Sequence, residues 1–72
     1  MTIGELAAEL RRSVNGAAEG DRVLKTHLFG ITRARELDGV SLKELVRLAK
    51  TPPSFHTEVR KGMRLADYVT LK

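Results

Sequence analysis

No cysteine and no tryptophan occur in the 72 residues, and aromatics are scarce, with two phenylalanines and one tyrosine. Without cysteine there is no disulfide framework and no thiolate metal site, and a reducing cytosol is the compartment such a chain suits. Few aromatics argue against a platform that stacks unpaired bases, so an OB-fold or RRM-like reader is not expected. No apolar run approaches the roughly 20 residues that a membrane-spanning helix needs. The opening MTIGELAAELRR carries Glu5 and Glu9 and lacks the basic start and apolar centre of a secretion signal. The expectation is a soluble, cytoplasmic protein with no membrane partner.

Catalytic constellations are missing as well. Ser54 and His56 are two apart, and on a helix such residues point away from each other, so no nucleophile–base pair follows. His56-Thr57-Glu58 has the same defect as a metal site, His27 has no evident second ligand, and no glycine-rich phosphate loop is present. The chain is therefore not expected to be an enzyme, and no cofactor or metal is expected.

What the chain does have is positive charge. Thirteen Lys and Arg against nine Asp and Glu leave a net charge of +4. That balance favours polyanionic partners such as nucleic acid, the plain alternative being simple solvation. The length suits one domain over residues 1–72, near the lower limit for a self-sufficient core. Stability then rests on tight helical packing, on a partner, or on self-association.

Helical signals run through the chain. Thr2-Ile3-Gly4-Glu5 has capping-box spacing, followed by Ile3, Leu6, Ala7, Leu10 and Val14 at helical intervals. Asn15-Gly16 is a stop, with Ala17 to Glu19 as a possible extra turn. Asp21 is a candidate N-cap for a segment whose inner stripe is Leu24, Leu28 and Ile31, widened by Val23, Phe29 and Leu37. Gly30 inside it leaves open one bent helix or two short ones over residues 21–37. Asp38-Gly39 makes a turn.

Ser41-Leu42-Lys43-Glu44 reads as a second, cleaner capping box, opening a helix whose inner face is Leu42, Leu45, Val46 and Ala49. Thr51-Pro52-Pro53 must end that helix, since a residue before proline is pushed out of the helical region. A further helix follows over Pro53–Lys61, anchored by Phe55 and Val59 and closed by Gly62 as a left-handed cap. The final YVTLK alternates like a short strand and is expected to be an extended tail. The fold class is thus all-α, a bundle of four to five short helices containing a helix-turn-helix.

At about 100° per residue, Thr57 falls opposite Phe55 and Val59, flanked by Ser54, Arg60 and Lys61. Hydroxyls there can donate to phosphates or bases, and arginine can hold guanine or phosphate with two parallel bonds. Ser54 would also lie where free N–H groups at a helix start attract phosphate. Lys43, Arg47 and Lys50 can approach the backbone from the preceding helix. Glu58 counts mildly against DNA, because phosphates repel a carboxylate unless it reads a cytosine or pairs with a base-contacting arginine, and an intrahelical contact with Ser54 or Lys61 would blunt this. His56 is read as a groove filler, with donation to a phosphate as the alternative.

Ser41 to Gly62 resembles the helix-turn-helix of bacterial and phage repressor-type regulators. It departs from them at three places: Lys50 replaces a turn glycine, Thr51 an apolar residue, and His56 a small apolar one. His27-Leu28-Phe29-Gly30-Ile31, Thr57-Glu58, Lys61-Gly62 and Leu65-Ala66-Asp67-Tyr68-Val69 resemble a group of small bacterial helix-turn-helix-like proteins. The resemblance implies a fold more than an activity.

The leading expectation is a homodimeric transcriptional regulator that binds double-stranded DNA through Ser54, Thr57, Arg60, Lys61, Lys43, Arg47 and Lys50. Its dimer surface would be the N-terminal helix or the apolar tail Leu65–Leu71. The rival is a helix-turn-helix turned to protein–protein recognition, as in an accessory or antitoxin-like subunit. A purely structural homodimer is the third reading.

Overall fold

Five α-helices follow one another along residues 1–71, the part of the chain that the computed structural model describes: α1 (Ile3–Asn15), α2 (Arg22–Thr32), α3 (Ala34–Leu37), α4 (Leu42–Leu48) and α5 (Phe55–Leu65). A 3-10 turn at Glu19–Asp21 leads into α2. No strand occurs among the described residues, and no helix among them is long and apolar enough to cross a membrane. The tail expected to extend like a strand turns at 66–68 and is irregular over 69–71; Lys72 lies outside the described residues.

α1 starts as its sequence requires. The Thr2 hydroxyl accepts the Glu5 N–H at 3.1 Å, and the Glu5 carboxylate accepts the Thr2 N–H at 2.8 Å. This reciprocal cap contributes about 1 kcal/mol through Thr2. The helix ends at Asn15, with the Gly16 N–H donating to Arg12. Leu6, Ala7, Leu10 and Val14 all go into the core, joined there by Phe29, Leu37, Leu42, Leu45, Val46, Ala49 and Val59. Ile3 packs against this core as well, so the apolar stripe of α1 faces inward.

α2 differs from its expected orientation. Thr26, Phe29 and Gly30 face inward, while Leu24 is half exposed and Leu28 and Ile31 are only partly covered. The buried Thr26 hydroxyl is satisfied by donating to the Arg22 carbonyl at 2.9 Å. The reason for the rotation is α5, which packs on α2 more extensively than any other pair of helices. Gly30 and Gly62 lie at that crossing, and a Cβ on either would strike the opposing backbone. Only the small-residue side of α2 can come this close, so the leucine stripe is turned outward.

The same crossing corrects the boundary of α5. Gly62 is buried within the helix, which continues to Leu65, and is not a left-handed cap. Residues 21–37 form two helices rather than one bent one, and the joint falls at Arg33, just past Gly30-Ile31-Thr32. Arg33 has φ −109° and ψ 21°, and its guanidinium grips Glu9 of α1 with two bonds of 2.7 and 2.8 Å. A third contact reaches Glu36 at 3.4 Å. The Arg33 guanidinium holds the Glu9 carboxyl below the ordinary carboxylate range, and Glu9 in turn raises the arginine. Asp21 precedes α2 without capping it by its side chain, and Gly39 makes its turn with φ +79°.

Candidate nucleic-acid interface

α4 and α5 form the two-helix unit. The Ser41 hydroxyl accepts the Glu44 N–H at 3.3 Å and starts α4, but the capping box is only half made. Glu44 turns instead to Arg47, which donates to it from Nε at 2.9 Å and also from Nη2. That pairing lowers the Glu44 carboxyl and raises the Arg47 guanidinium.

The corner is closed by backbone bonds. The Thr51 N–H donates to the Val46 carbonyl at 3.1 Å and the Lys50 N–H to Arg47 at 3.1 Å. This is a Schellman arrangement, in which the residue after the cap sits in the left-handed region. That residue is Lys50, with φ +59°. The position at which related motifs place glycine has the glycine conformation here too, with a lysine in it, at a cost of about 1–2 kcal/mol. Thr51 adds a bond from its hydroxyl to the Val46 carbonyl at 3.2 Å. A polar residue therefore replaces the usual apolar one without leaving its hydroxyl unpaired.

Val59 and Gly62 of α5 are buried, and Phe55 and Met63 lie against the core. The opposite arc carries Ser54, Thr57, Arg60, Lys61 and Arg64, all exposed. Arg64 was absent from the expected contact set because the helix was expected to stop at Gly62. Reading Gly62 together with Gly30, as two glycines each inside a helix, is the signal that would have extended it. No carboxylate lies on this arc. Glu58 is turned inward, accepting from His27 Nε2 at 2.7 Å and approached by Lys61 at 3.4 Å. These partners, His27 first, hold the Glu58 carboxyl below its ordinary value.

Two expected roles change in detail. The Thr57 hydroxyl donates to the Ser54 carbonyl at 2.8 Å, so it offers an approaching ligand a lone pair and a methyl group. At the start of α5 the N–H groups of Phe55, His56 and Thr57 already donate to Pro52, Pro53 and Ser54. The free N–H groups that were expected to draw phosphate toward Ser54 are therefore engaged at those three positions. His56 Nδ1 lies 2.7 Å from the Pro53 carbonyl and must carry the proton, since a carbonyl only accepts. That bond fastens the turn.

On the α4 side, Lys43, Val46, Arg47, Thr51 and Pro53 line a groove beside the start of α5. A second, nearly apolar groove lies between α2 and the end of α5, lined by His27, Lys61, Arg64, Leu65 and Tyr68. Tyr68 is 85% exposed, and Leu24, Leu65, Val69 and Leu71 are all at least two-fifths exposed. The apolar residues of the tail therefore lie at the surface.

No curated protein and no solved structure matches this chain. A match does exist at the level of the family, over residues 2–72, to the HTH-like domain. With the two-helix unit, its Schellman corner and an all-helical scaffold in place, the chain belongs to the HTH-like domain family.

Proposed function

We propose that this protein binds double-stranded DNA, with α5 in the major groove and α4 against the phosphate backbone. The observation that carries this reading is the disposal of Glu58. With its carboxylate bound to His27 and Lys61, the arc through Ser54, Thr57, Arg60, Lys61 and Arg64 is left polar and basic. Arg60 and Arg64 suit guanine or phosphate, and Thr57 suits an amino group or a thymine methyl. Lys43, Arg47 and Lys50 face the backbone as sequence-independent contacts. No catalytic step or cofactor is part of this function.

A salt titration of duplex binding tests it. Each phosphate neutralised contributes a slope of about −0.9 in log K against log salt. Three or more contacts should give a slope steeper than about −2.5. A flat salt dependence, or no affinity at low salt, overturns the reading.

Regulation of transcription by a homodimer is the biological form we favour, because such modules bind paired half-sites about 34 Å apart. Leu24, Leu65, Tyr68, Val69 and Leu71 supply apolar surface for self-association. The same surface supports a second reading, a protein–protein module of accessory or antitoxin-like type. An Arg60→Ala, Lys61→Ala double variant separates the two: it abolishes retention on DNA and leaves capture of a protein partner intact.

A further inference from the structure

The outward arc of α5 does not end at Arg64. Lys61, Arg64, Leu65 and Tyr68 follow one another at i, i+3, i+4 and i+7, the spacing of a single helical stripe. With His27 of α2 they line the nearly apolar groove. Leu24, half exposed, stands one turn before His27 on the same side of α2. One stripe thus carries two chemistries, the cations of the basic arc and an apolar strip continuous with them.

The groove excludes several occupants. Tyr68 on its lining is 85% exposed, so the trough does not enclose a small molecule, which needs most of its surface covered. No strand occurs among the described residues, so there is no sheet edge to which an extended peptide could add. A helix laid with its apolar side in the groove is the mode that remains.

The charges decide whose helix it is. No carboxylate lines the groove. Among the described residues Arg64 makes no ion pair, and Lys61 meets only Glu58, a carboxylate that is also bonded to His27. A second copy paired here about a two-fold axis would set these cations against themselves. The adjoining groove of Ile31, Ala66, Val69 and Leu71 has no charged side chain on its lining and suits self-association instead. Cations bordering an apolar trough complement a helix with leucine-like residues on one side and carboxylates beside them.

We propose that the groove between α2 and the end of α5 receives an acidic amphipathic helix of a second protein, and that this helix and duplex DNA exclude each other because both need Lys61 and Arg64. The exclusion rests on the DNA reading, whereas the groove stands without it. DNA binding and protein recognition are then two states of one surface.

The test uses the full chain, a mixed-sequence duplex and two labelled helical peptides of about 18 residues. Both peptides carry leucine at i, i+3, i+4 and i+7; glutamate fills the other positions of one and lysine those of the other. The Leu/Glu peptide should bind at least about tenfold more tightly than the Leu/Lys peptide. Tyr68→Ala, at an exposed position, should weaken the Leu/Glu peptide about tenfold and leave duplex affinity unchanged. Arg64→Ala should weaken both ligands, and unlabelled duplex should displace the peptide. Equal binding of the two peptides, or a Leu/Glu peptide indifferent to Tyr68→Ala, overturns the groove. Retention on phosphatidylserine vesicles that Tyr68→Ala abolishes, without peptide binding, gives the surface to a membrane and also overturns it. A ternary complex of protein, peptide and duplex overturns the exclusion alone. Wild-type protein that binds the peptide but no duplex overturns the DNA reading and the exclusion, and leaves the groove in place.

Discussion

Gly30 of α2 and Gly62 of α5 meet with no side chain between them. A Cβ at Gly30 would lie 2.5 Å from the Val59 carbonyl oxygen and 2.9 Å from the Gly62 Cα, and one at Gly62 would run into the His27 carbonyl. In an ordinary helix, glycine to alanine gains up to about 1 kcal/mol. At this crossing the sign reverses, because the obstructing atoms are backbone and cannot swing aside. Gly30→Ala and Gly62→Ala should each lose about 3 kcal/mol in urea unfolding. Gly4→Ala on α1, whose added methyl meets only the Thr2 hydroxyl at 3.8 Å, should gain about 0.5 kcal/mol. Three variants of similar stability would show that α2 and α5 can part at little cost.

Arg33 and Glu9 join the α2–α3 joint to α1 through two parallel hydrogen bonds. Glu9→Gln and Arg33→Met should each lower the thermal midpoint. The double variant should lose less than the two losses added together, as expected when both remove one interaction. Strict additivity would mean that the pair contributes nothing beyond its separate side chains.

Acid should weaken the fold along a defined course. The carboxyls of Glu5, Glu9, Glu44 and Glu58 lie below the ordinary value of 4.5, held there chiefly by the Thr2 N–H, Arg33, Arg47 and His27 respectively. Each is lower in the folded than in the unfolded chain, so below that value the unfolded state binds more protons and stability rises with pH. The contribution is present above pH 4.5 and is lost as pH falls through the folded values. Thermal midpoints measured downward from pH 5 should decline, and Glu9→Gln should flatten the decline. A Glu9→Gln curve parallel to wild type would remove that carboxylate from the account.

Glu58 and Arg64 test the charge arrangement of α5. Glu58→Gln releases Lys61 from its 3.4 Å contact and removes a negative charge beside the basic arc. Duplex affinity at fixed salt should increase severalfold while the folding midpoint falls. Arg64→Ala should lower the salt slope by about 1 if it meets phosphate, or cost about 1–3 kcal/mol at one base position if it meets guanine. An Arg64→Ala variant with wild-type affinity on every duplex would confine the interface to the first half of α5.

Local rules read the helix starts and turns well. Thr2, Ser41 and Gly39 act within three or four residues of themselves, so their roles are visible in the sequence around them. The Leu24–Leu28–Ile31 stripe misleads because periodicity finds the greasiest side of a helix, whereas the crossing selects the smallest. Gly62 misleads for a related reason: glycine both stops helices and lets them touch, and only its distant counterpart Gly30 distinguishes the two. Glu58 looked like an obstacle to DNA because its partner His27 is 31 residues away. The exposed residues Ser54, Thr57, Arg60 and Lys61 were legible from helical phase alone, and Arg64 escaped with the misplaced helix end. Lys50 was noticed as a departure from glycine, but its φ depends on the bonds that close the corner.

The glycine crossing also acts as a key in a slot. Because α5 can approach α2 only through Gly62, it cannot roll about its own axis without driving Lys61 or Met63 into the space beside Gly30. The angular setting of Arg60 and Arg64 relative to the body of the molecule is thereby locked from the opposite side of the helix. Substitutions on the outward arc change what the surface offers without changing where it points. One residue inserted between Thr57 and Gly62 would instead swing the residues before it by about 100°, carrying Thr57 off the outward arc with its chemistry untouched.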